Sequence, residues 1–264
     1  MTEKITSRKN RRIIEACALA DKKARDKSGI FAVEGIKLFE ELLLENVTLC
    51  EVYYTENAYK RFSEIINKAE GKCELFEVTD EVYDKLSFEK HPEGIFAVAK
   101  KTPVYNNVSE TPGDGGFLIL DGVQNPSNVG TVIRTAAALG ISRILLGEGC
   151  ADIFGHKTLR AAMGTLFKVN VCVTGDICTE IEKLKANGMS VYGAALDETS
   201  VDIRDISFKK DDCIVLGNEG KGISEKVLSL CDKKVIIPMR QGAESLNAAA
   251  AAAVLMWEKQ KGVM

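Results

Sequence analysis

IIPMRQGAESLNAAAAAA, residues 236 to 253, leaves an apolar run that ends at Pro238, passes through a polar loop and enters an alanine-rich run that continues to Lys259. Alanine has the best helix propensity and no β-branched stretch interrupts the run, so the reading is strand, loop, then helix over Ala248 to Lys259. Two earlier stretches share this character. LDGVQNPSNVGTVIRTAAALG (120 to 140) and IVLGNEGKGIS (214 to 224) each carry a short apolar run into a turn rich in glycine and asparagine. Open α/β sheets place ligands at the carboxyl ends of their strands, and glycine lets backbone N–H and C=O groups approach a ligand closely. The three stretches therefore predict one small-molecule pocket. Each also has a local structural role open to it. Asn125-Pro126 reads as a turn with Asn128 as helix N-cap, Ser224 as a cap for the helix after it, Gly242 as a tight-loop residue, and Ser245 or Asn247 as the cap of the last helix.

Outward from these stretches, apolar periodicity alternates between strand and helix along the whole chain, which predicts an α/β fold. Strands are expected over Phe31–Val33, Thr48–Tyr54, Cys73–Val78, Gly94–Ala99, Phe117–Leu120, Arg143–Leu146, Lys168–Val173, Val191–Leu196, Cys213–Gly217 and Val235–Pro238. Helices are expected over Ile36–Leu44, Ala58–Ala69, Val129–Leu139, Lys157–Met163 and Asp176–Ala186. Ile13, Ile14, Cys17, Ala20 and Ala24 follow helical spacing, so one basic amphipathic helix opens the chain, and Gly29 stops it. KTPVYNNVSETPGDGG (101 to 116) has turn formers and no apolar period, and reads as a linker. The expected division is 1–103, a linker over 104–116, and 117–264.

The chain has 264 residues, 45% hydrophobic and 28% charged, the balance of an ordinary globular protein. Its longest apolar run, Ala248 to Trp257, is about half of the roughly 20 residues a membrane-spanning helix needs. The opening MTEKITSRKNRR has charges where an export signal has an apolar core, so a cytoplasmic protein is expected. Eight cysteines lack any C-x-x-C pair, and His91 and His156 stand apart from them, so no metal site is expected. The net charge of -3 hides an asymmetry: residues 1 to 37 hold ten Lys/Arg against five Asp/Glu, a local +5 that leaves -8 on the other 227 residues. A basic front on an acidic body suits phosphate contact, though a solvated helix face has the same composition.

No G-x-G-x-x-G follows a strand, which disfavours a Rossmann enzyme, and Gly155-His156-Lys157-Thr158 lacks the first glycine of a P-loop. N-x-G-x-x-x-R (Asn128, Gly130, Arg134), G-N-E-G-x-G (217 to 222) and P-M-x-x-G-x-x-S-L-N (238 to 247) resemble, in order and spacing, the three motifs of the SpoU/TrmH family of RNA ribose 2'-O-methyltransferases. Lys157 and Leu159-Arg160-Ala161-Ala162-Met163-Gly164 resemble a further segment of that family, with Ala162 in place of the usual serine. Asn10 to Lys27, Phe31-Ala32-Val33-Glu34-Gly35 and His91-Pro92-Glu93-Gly94-Ile95 resemble its accessory substrate-binding domain.

The resemblance implies a C-terminal trefoil-knot α/β domain, an exception to the rule against knots, and a smaller ribosomal-protein-like α/β/α domain before it. It implies S-adenosylmethionine held by Leu216, Gly217, Asn218, Gly220, Ile237, Pro238, Met239, Ser245, Leu246 and Asn247. It also implies catalysis involving Arg134, Asn128, Glu219, Ser245 and Asn247, and a homodimer whose partner subunit completes each RNA site. An ordinary arginine stays protonated, so Arg134 is expected to clamp an RNA phosphate. Arg8, Lys9, Arg11 and Arg12 are expected to be sequence-independent phosphate anchors. The expected substrate is rRNA ahead of tRNA. The rival reading is a noncatalytic RNA-binding or ribosome-assembly protein, which would have no need of all five catalytic-motif residues.

Overall fold

The computed structural model describes residues 3–240 and 245–261, with the side chain of Glu3 left aside. Gly242 lies outside the described residues. The chain forms two compact units, one made of residues up to Thr102 together with Asp152–Phe167, the other of Pro103–Ala151 and the chain from Lys168 onward.

The first unit runs β1 (Glu3–Ile5), α1 (Arg11–Ala18), α2 (Lys22–Ser28), β2 (Ile30–Glu34), α3 (Ile36–Leu44), β3 (Leu49–Thr55), α4 (Glu56–Ile66), β4 (Glu74–Val78), α5 (Asp80–Leu86) and β5 (Ile95–Lys100). Its sheet has the order β1-β4-β3-β5-β2, with β4 parallel to β1 and β3, and β5 antiparallel to β3 and β2. Ile13 and Ala16 of α1 and Val82 and Leu86 of α5 bury against Tyr53, Phe76 and Phe96 of the sheet.

The single opening helix expected from the sequence is two helices. Leu19 ends α1, and Asp21 starts α2 by accepting a hydrogen bond from the Lys23 backbone N–H at 2.8 Å. Arg25, only 4% exposed, fixes the break: its guanidinium donates to the carbonyls of Leu19 (2.6 Å) and Ala20 (2.9 Å), and to Asp152 (2.5 Å). Carbonyls left over at a helix end need such partners. Gly29, at φ +69°, closes α2 in the left-handed conformation that favours glycine.

The second unit runs β6 (Val104–Tyr105), β7 (Leu118–Asp121), α6 (Pro126–Ala138) and β8 (Arg143–Leu146). The chain then contributes α7 (His156–Ala162) to the first unit and returns as β9 (Asn170–Val173), α8 (Ile177–Ala186), β10 (Val191–Ala194), β11 (Val201–Asp202), β12 (Cys213–Gly217), α9 (Glu225–Leu230), β13 (Lys233–Ile236) and α10 (Ala248–Gln260). The eight strands are all parallel, in the order β11-β13-β10-β12-β7-β8-β9-β6. Ile119, Leu145, Cys172, Val191, Cys213 and Val215 belong to its buried core. The eight cysteines are free thiols.

The stretch 104–116, read from composition as a linker, is part of this unit. Val104 and Tyr105 pair with Val171 and Cys172 at the sheet edge, and buried Val108 donates its N–H to Glu180 at 2.7 Å. Helix α6 begins three residues earlier than expected. Asn125 is its cap, accepting from Ser127 N–H at 2.9 Å, and Pro126 occupies the first turn, where a missing N–H costs nothing. Asn128 is therefore inside the helix, and its side chain is free for other work.

Candidate active site

Strand order reverses at β7: β8 and β9 follow on one side, while β12, β10 and β13 lie on the other. A cavity of about 590 Å³ opens at the carboxyl ends of β10, β12 and β13, within the ~300–1,000 Å³ usual for small-molecule sites. Leu216, Gly217, Asn218, Gly220, Ile237, Met239, Ser245, Leu246 and Asn247 all line it. Pro238, grouped with them from the sequence, is exposed and is not among the lining residues. Ala194 to Asp197 form a further wall that the motif reading missed, as do Ala251 and Leu255 of α10. The available signal was the end of the apolar strand expected over Val191–Leu196, where a parallel sheet would place a ligand.

The 217–222 loop is a tight turn built on backbone contact. Asn218 and Gly222 exchange backbone hydrogen bonds at 2.9 and 2.8 Å. The Asn218 side chain accepts from the N–H groups of Gly220 (2.9 Å) and Lys221 (3.1 Å), and donates to the Gly122 carbonyl (2.8 Å). A Cβ on Gly217 would lie 2.1 Å from Gly222 C and Ile223 N, so only glycine fits.

Glu219, Asn128 and Asn247 bring one residue from each motif into a single network. The Glu219 carboxylate accepts from Asn128 Nδ2 (2.9 Å) and from the backbone N–H groups of Asn125 (3.1 Å) and Gln124 (3.2 Å). Asn128 Oδ1 in turn accepts from Asn247 Nδ2 (3.1 Å), while Asn247 Oδ1 caps α10 at the N–H groups of Ala249 (2.9 Å) and Ala250 (3.4 Å). Asn247 thus caps the helix and joins the site. Burial pushes the Glu219 carboxyl up, but the hydrogen bonds from Asn128, Asn125 and Gln124 outweigh it and hold the pKa below the usual value.

Arg134 is exposed on α6, and its side chain makes no hydrogen bond or ion pair among the described residues. Six positions from Asn128, it is turned roughly 240° around the helix axis, and it does not line the cavity. Ser245 lines the cavity and has no hydrogen-bond partner among the described residues. Of the four basic residues expected to bind RNA, Arg8, Lys9 and Arg11 are exposed, and Arg11 pairs only with Glu15 one turn on. Arg12 is committed elsewhere: it pairs with Glu51 (2.6 Å) and Glu74 (2.8 Å) and lies over the Phe76 ring. Two carboxylates already neutralise it, so it is a sheet-to-helix clamp and not a free phosphate anchor.

The cavity fits a nucleoside-bearing methyl donor. Leu216, Ile223, Ile237 and Leu255 give apolar walls, with Gly217, Asn218 and Gly220 of the tight turn lining the space between them. Together with a separate α/β unit carrying the basic front of the chain, this defines an S-adenosylmethionine-dependent RNA methyltransferase. The sequence profile of the SpoU rRNA Methylase family matches residues 116–257, and that of an MRM3-like substrate binding domain matches residues 10–97. The chain belongs to the SpoU rRNA Methylase family. It is 32% identical to the 23S rRNA (guanosine(2553)-2'-O)-methyltransferase RlmP of Bacillus subtilis, over 97% of this chain and 98% of that one. An AdoMet-bound rRNA methyltransferase from Sinorhizobium meliloti superposes with a TM-score of 0.87 at 27% identity, covering 100% of this chain and 99% of that one. The AdoMet complex of the SpoU methyltransferase AviRb from Streptomyces viridochromogenes gives 0.83 at 25% identity, over 97% of this chain and 98% of that one.

Proposed function

We propose that this protein transfers a methyl group from S-adenosylmethionine to a ribose 2'-hydroxyl of 23S rRNA, in the cytoplasm, as a homodimer with a trefoil-knotted second unit. The carrying observation is the Glu219–Asn128–Asn247 network, which ties the three motifs together beside a cavity of donor size. The likeness to RlmP supports 23S rRNA as the substrate.

Backbone groups of Leu216–Gly220, Ile237–Met239 and Ser245–Asn247 would hold the donor, which when bound supplies an electrophilic sulfonium methyl. Glu219, held by three donors and below its usual pKa, orders the loop and does not shuttle protons. Arg134, protonated and unpartnered among the described residues, clamps an RNA phosphate bidentately and orients the adjacent ribose hydroxyl. Alignment of two reactants supplies about 7–11 kcal/mol of barrier lowering. Ser245, unpartnered among the described residues, would meet the substrate from the cavity side.

Arg134 is off the cavity lining of its own chain, which supports completion of the site by a second copy. Helix α10 packs on α6 and leaves Val254 and Trp257, 41% and 54% exposed, on one face. A partner covering that stripe would bury them and bring the helix that bears Arg134 into the interface.

The test is methyl transfer from S-adenosylmethionine to a 23S rRNA transcript, with the modified ribose mapped and bulk tRNA as the comparison. One 2'-O-methylated rRNA nucleotide is expected. A protein that binds the donor and methylates neither RNA would overturn the reading. Arg134→Lys is expected to lower kcat/KM about tenfold or more, since a point charge replaces a two-pronged donor, with donor affinity unchanged.

A further inference from the structure

The first unit holds a cavity of its own, about 480 Å³, that methyl transfer as described leaves unused. Three stretches meet on it: Gly35 and Lys37 where β2 passes into α3, Phe88 to Glu93 after α5, and His156 and Arg160 of α7. Both histidines of the chain line it. The Phe88 and His156 rings stack, with centroids 4.7 Å apart and planes at 26°, and both are half-buried. Burial and the neighbouring Lys157 hold the His156 pKa below its ordinary value, so the ring is an uncharged aromatic plate at neutral pH.

The charges of the lining argue against a phosphate inside. Glu34 accepts from Ser87 Oγ (2.6 Å), Phe88 N–H (2.6 Å) and Tyr83 Oη (3.2 Å), Glu93 accepts from Ile36 N–H (2.9 Å), and Glu89 pairs with Arg160. Three carboxylates outnumber the two fixed cations, Lys37 and Arg160. Lys37 is exposed and has no partner among the described residues. Gly35, at φ +96°, keeps the β2–α3 corner open: a Cβ there would press on the Glu93 carboxylate at 3.0 Å. The site therefore suits a flat, neutral group with N–H donors, carried on a chain whose phosphate stays outside. Unstacked bases in RNA loops are recognised in this way, by aromatic stacking and by contacts to their edges.

We propose that this cavity receives one unstacked, amino-bearing nucleobase of the RNA substrate, stacked on the Phe88–His156 pair, with its amino edge toward Glu93 and an adjacent phosphate on Lys37. The proposal rests on RNA being the substrate. Because the chain has only two histidines and both line this cavity, their imidazole resonances report on it alone. Short oligoadenylate and oligocytidylate are expected to shift those resonances saturably in the full-length protein, and oligouridylate, which lacks the amino group, only weakly. No shift with any of the three, or a uridylate shift as large as the others, overturns the proposal.

In methyl-transfer assays with the 23S rRNA transcript, His156→Leu is expected to raise KM about tenfold, the scale of one lost base stack, with kcat and donor affinity unchanged. His156→Phe, which keeps the plate, is expected to restore KM. A His156→Leu enzyme with the wild-type KM overturns the proposal. If the transcript is never methylated, the functional reading fails, and the resonance shifts still decide the fate of the cavity.

Discussion

Gly217→Ala tests whether the 217–222 loop depends on backbone contact at that residue. A Cβ there would sit 2.1 Å from Gly222 C and Ile223 N, while ordinary contact begins near 3.4 Å, so the 222–223 backbone must retreat by roughly 1.3 Å. That retreat costs about 1–3 kcal/mol as overpacking. It also breaks the paired hydrogen bonds between Asn218 and Gly222, at about 1 kcal/mol each. The expected loss is about 3–5 kcal/mol of stability in the second unit. Gly220→Ala is the control: its Cβ would meet only Asn218 Oδ1, at 3.7 Å, and stability should change by no more than about 0.5 kcal/mol. Trp257 is the only tryptophan and belongs to the second unit, so its fluorescence during chemical denaturation reports that unit. Calorimetry should show S-adenosylmethionine binding to the Gly217 variant weakened about tenfold or more, equivalent to about 1.4 kcal/mol. Equal denaturation midpoints and equal donor affinities for the two variants would refute the reasoning.

Asn128→Asp sets a carboxylate against Glu219, whose oxygen is 2.9 Å from Asn128 Nδ2. Mutual repulsion raises the new group's native pKa above its unfolded value, so titrated denaturation should show the variant weakest at neutral pH and recovering as pH falls through the carboxylate range. Wild-type Glu219 has the opposite sign: its native pKa is depressed, so its contribution is complete above 4.5 and is lost as pH falls through the lowered value, a difference visible against Glu219→Gln. Arg25→Met strands Asp152 and the carbonyls of Leu19 and Ala20, and circular dichroism should report a loss of about 3–5 kcal/mol, the scale for breaking a buried pair. Replacing Arg8, Lys9 and Arg11 together by Gln should flatten the dependence of log affinity for RNA on log salt by roughly 2 to 3. Arg12→Gln should instead cost stability, because Glu51 and Glu74 lose their shared cation.

What the sequence made legible follows from how far apart the partners of each residue lie. Short apolar runs with turn formers after them are local signals, and Arg143–Leu146 and Cys213–Gly217 fall where their own residues put them. The opening helix failed because its interruption depends on Arg25, a residue that counts as one more surface cation in a basic stretch. Its role comes from Asp152, 127 positions away, and no local pattern carries that information. Arg12 misled in the same manner, since Glu51 and Glu74 reach it only once β3 and β4 are paired.

Asn128 shows how a local error can hide a functional role. Read as an N-cap, its side chain would be used up by the backbone of its own helix. Asn125 and Pro126 take over that task, and a buried amide with one donor on Glu219 and one acceptor on Asn247 remains. An amide can make both contacts at once because it offers N–H and C=O on adjacent atoms. A carboxylate lacks the donor, and a hydroxyl has one oxygen to serve both neighbours. The motif's asparagine is thus explained by the two loops it must join, 91 and 119 residues downstream. The spacing within its own segment, Asn128 to Arg134, places the two side chains on different sides of α6, one toward Glu219 and Asn247 and one toward solvent.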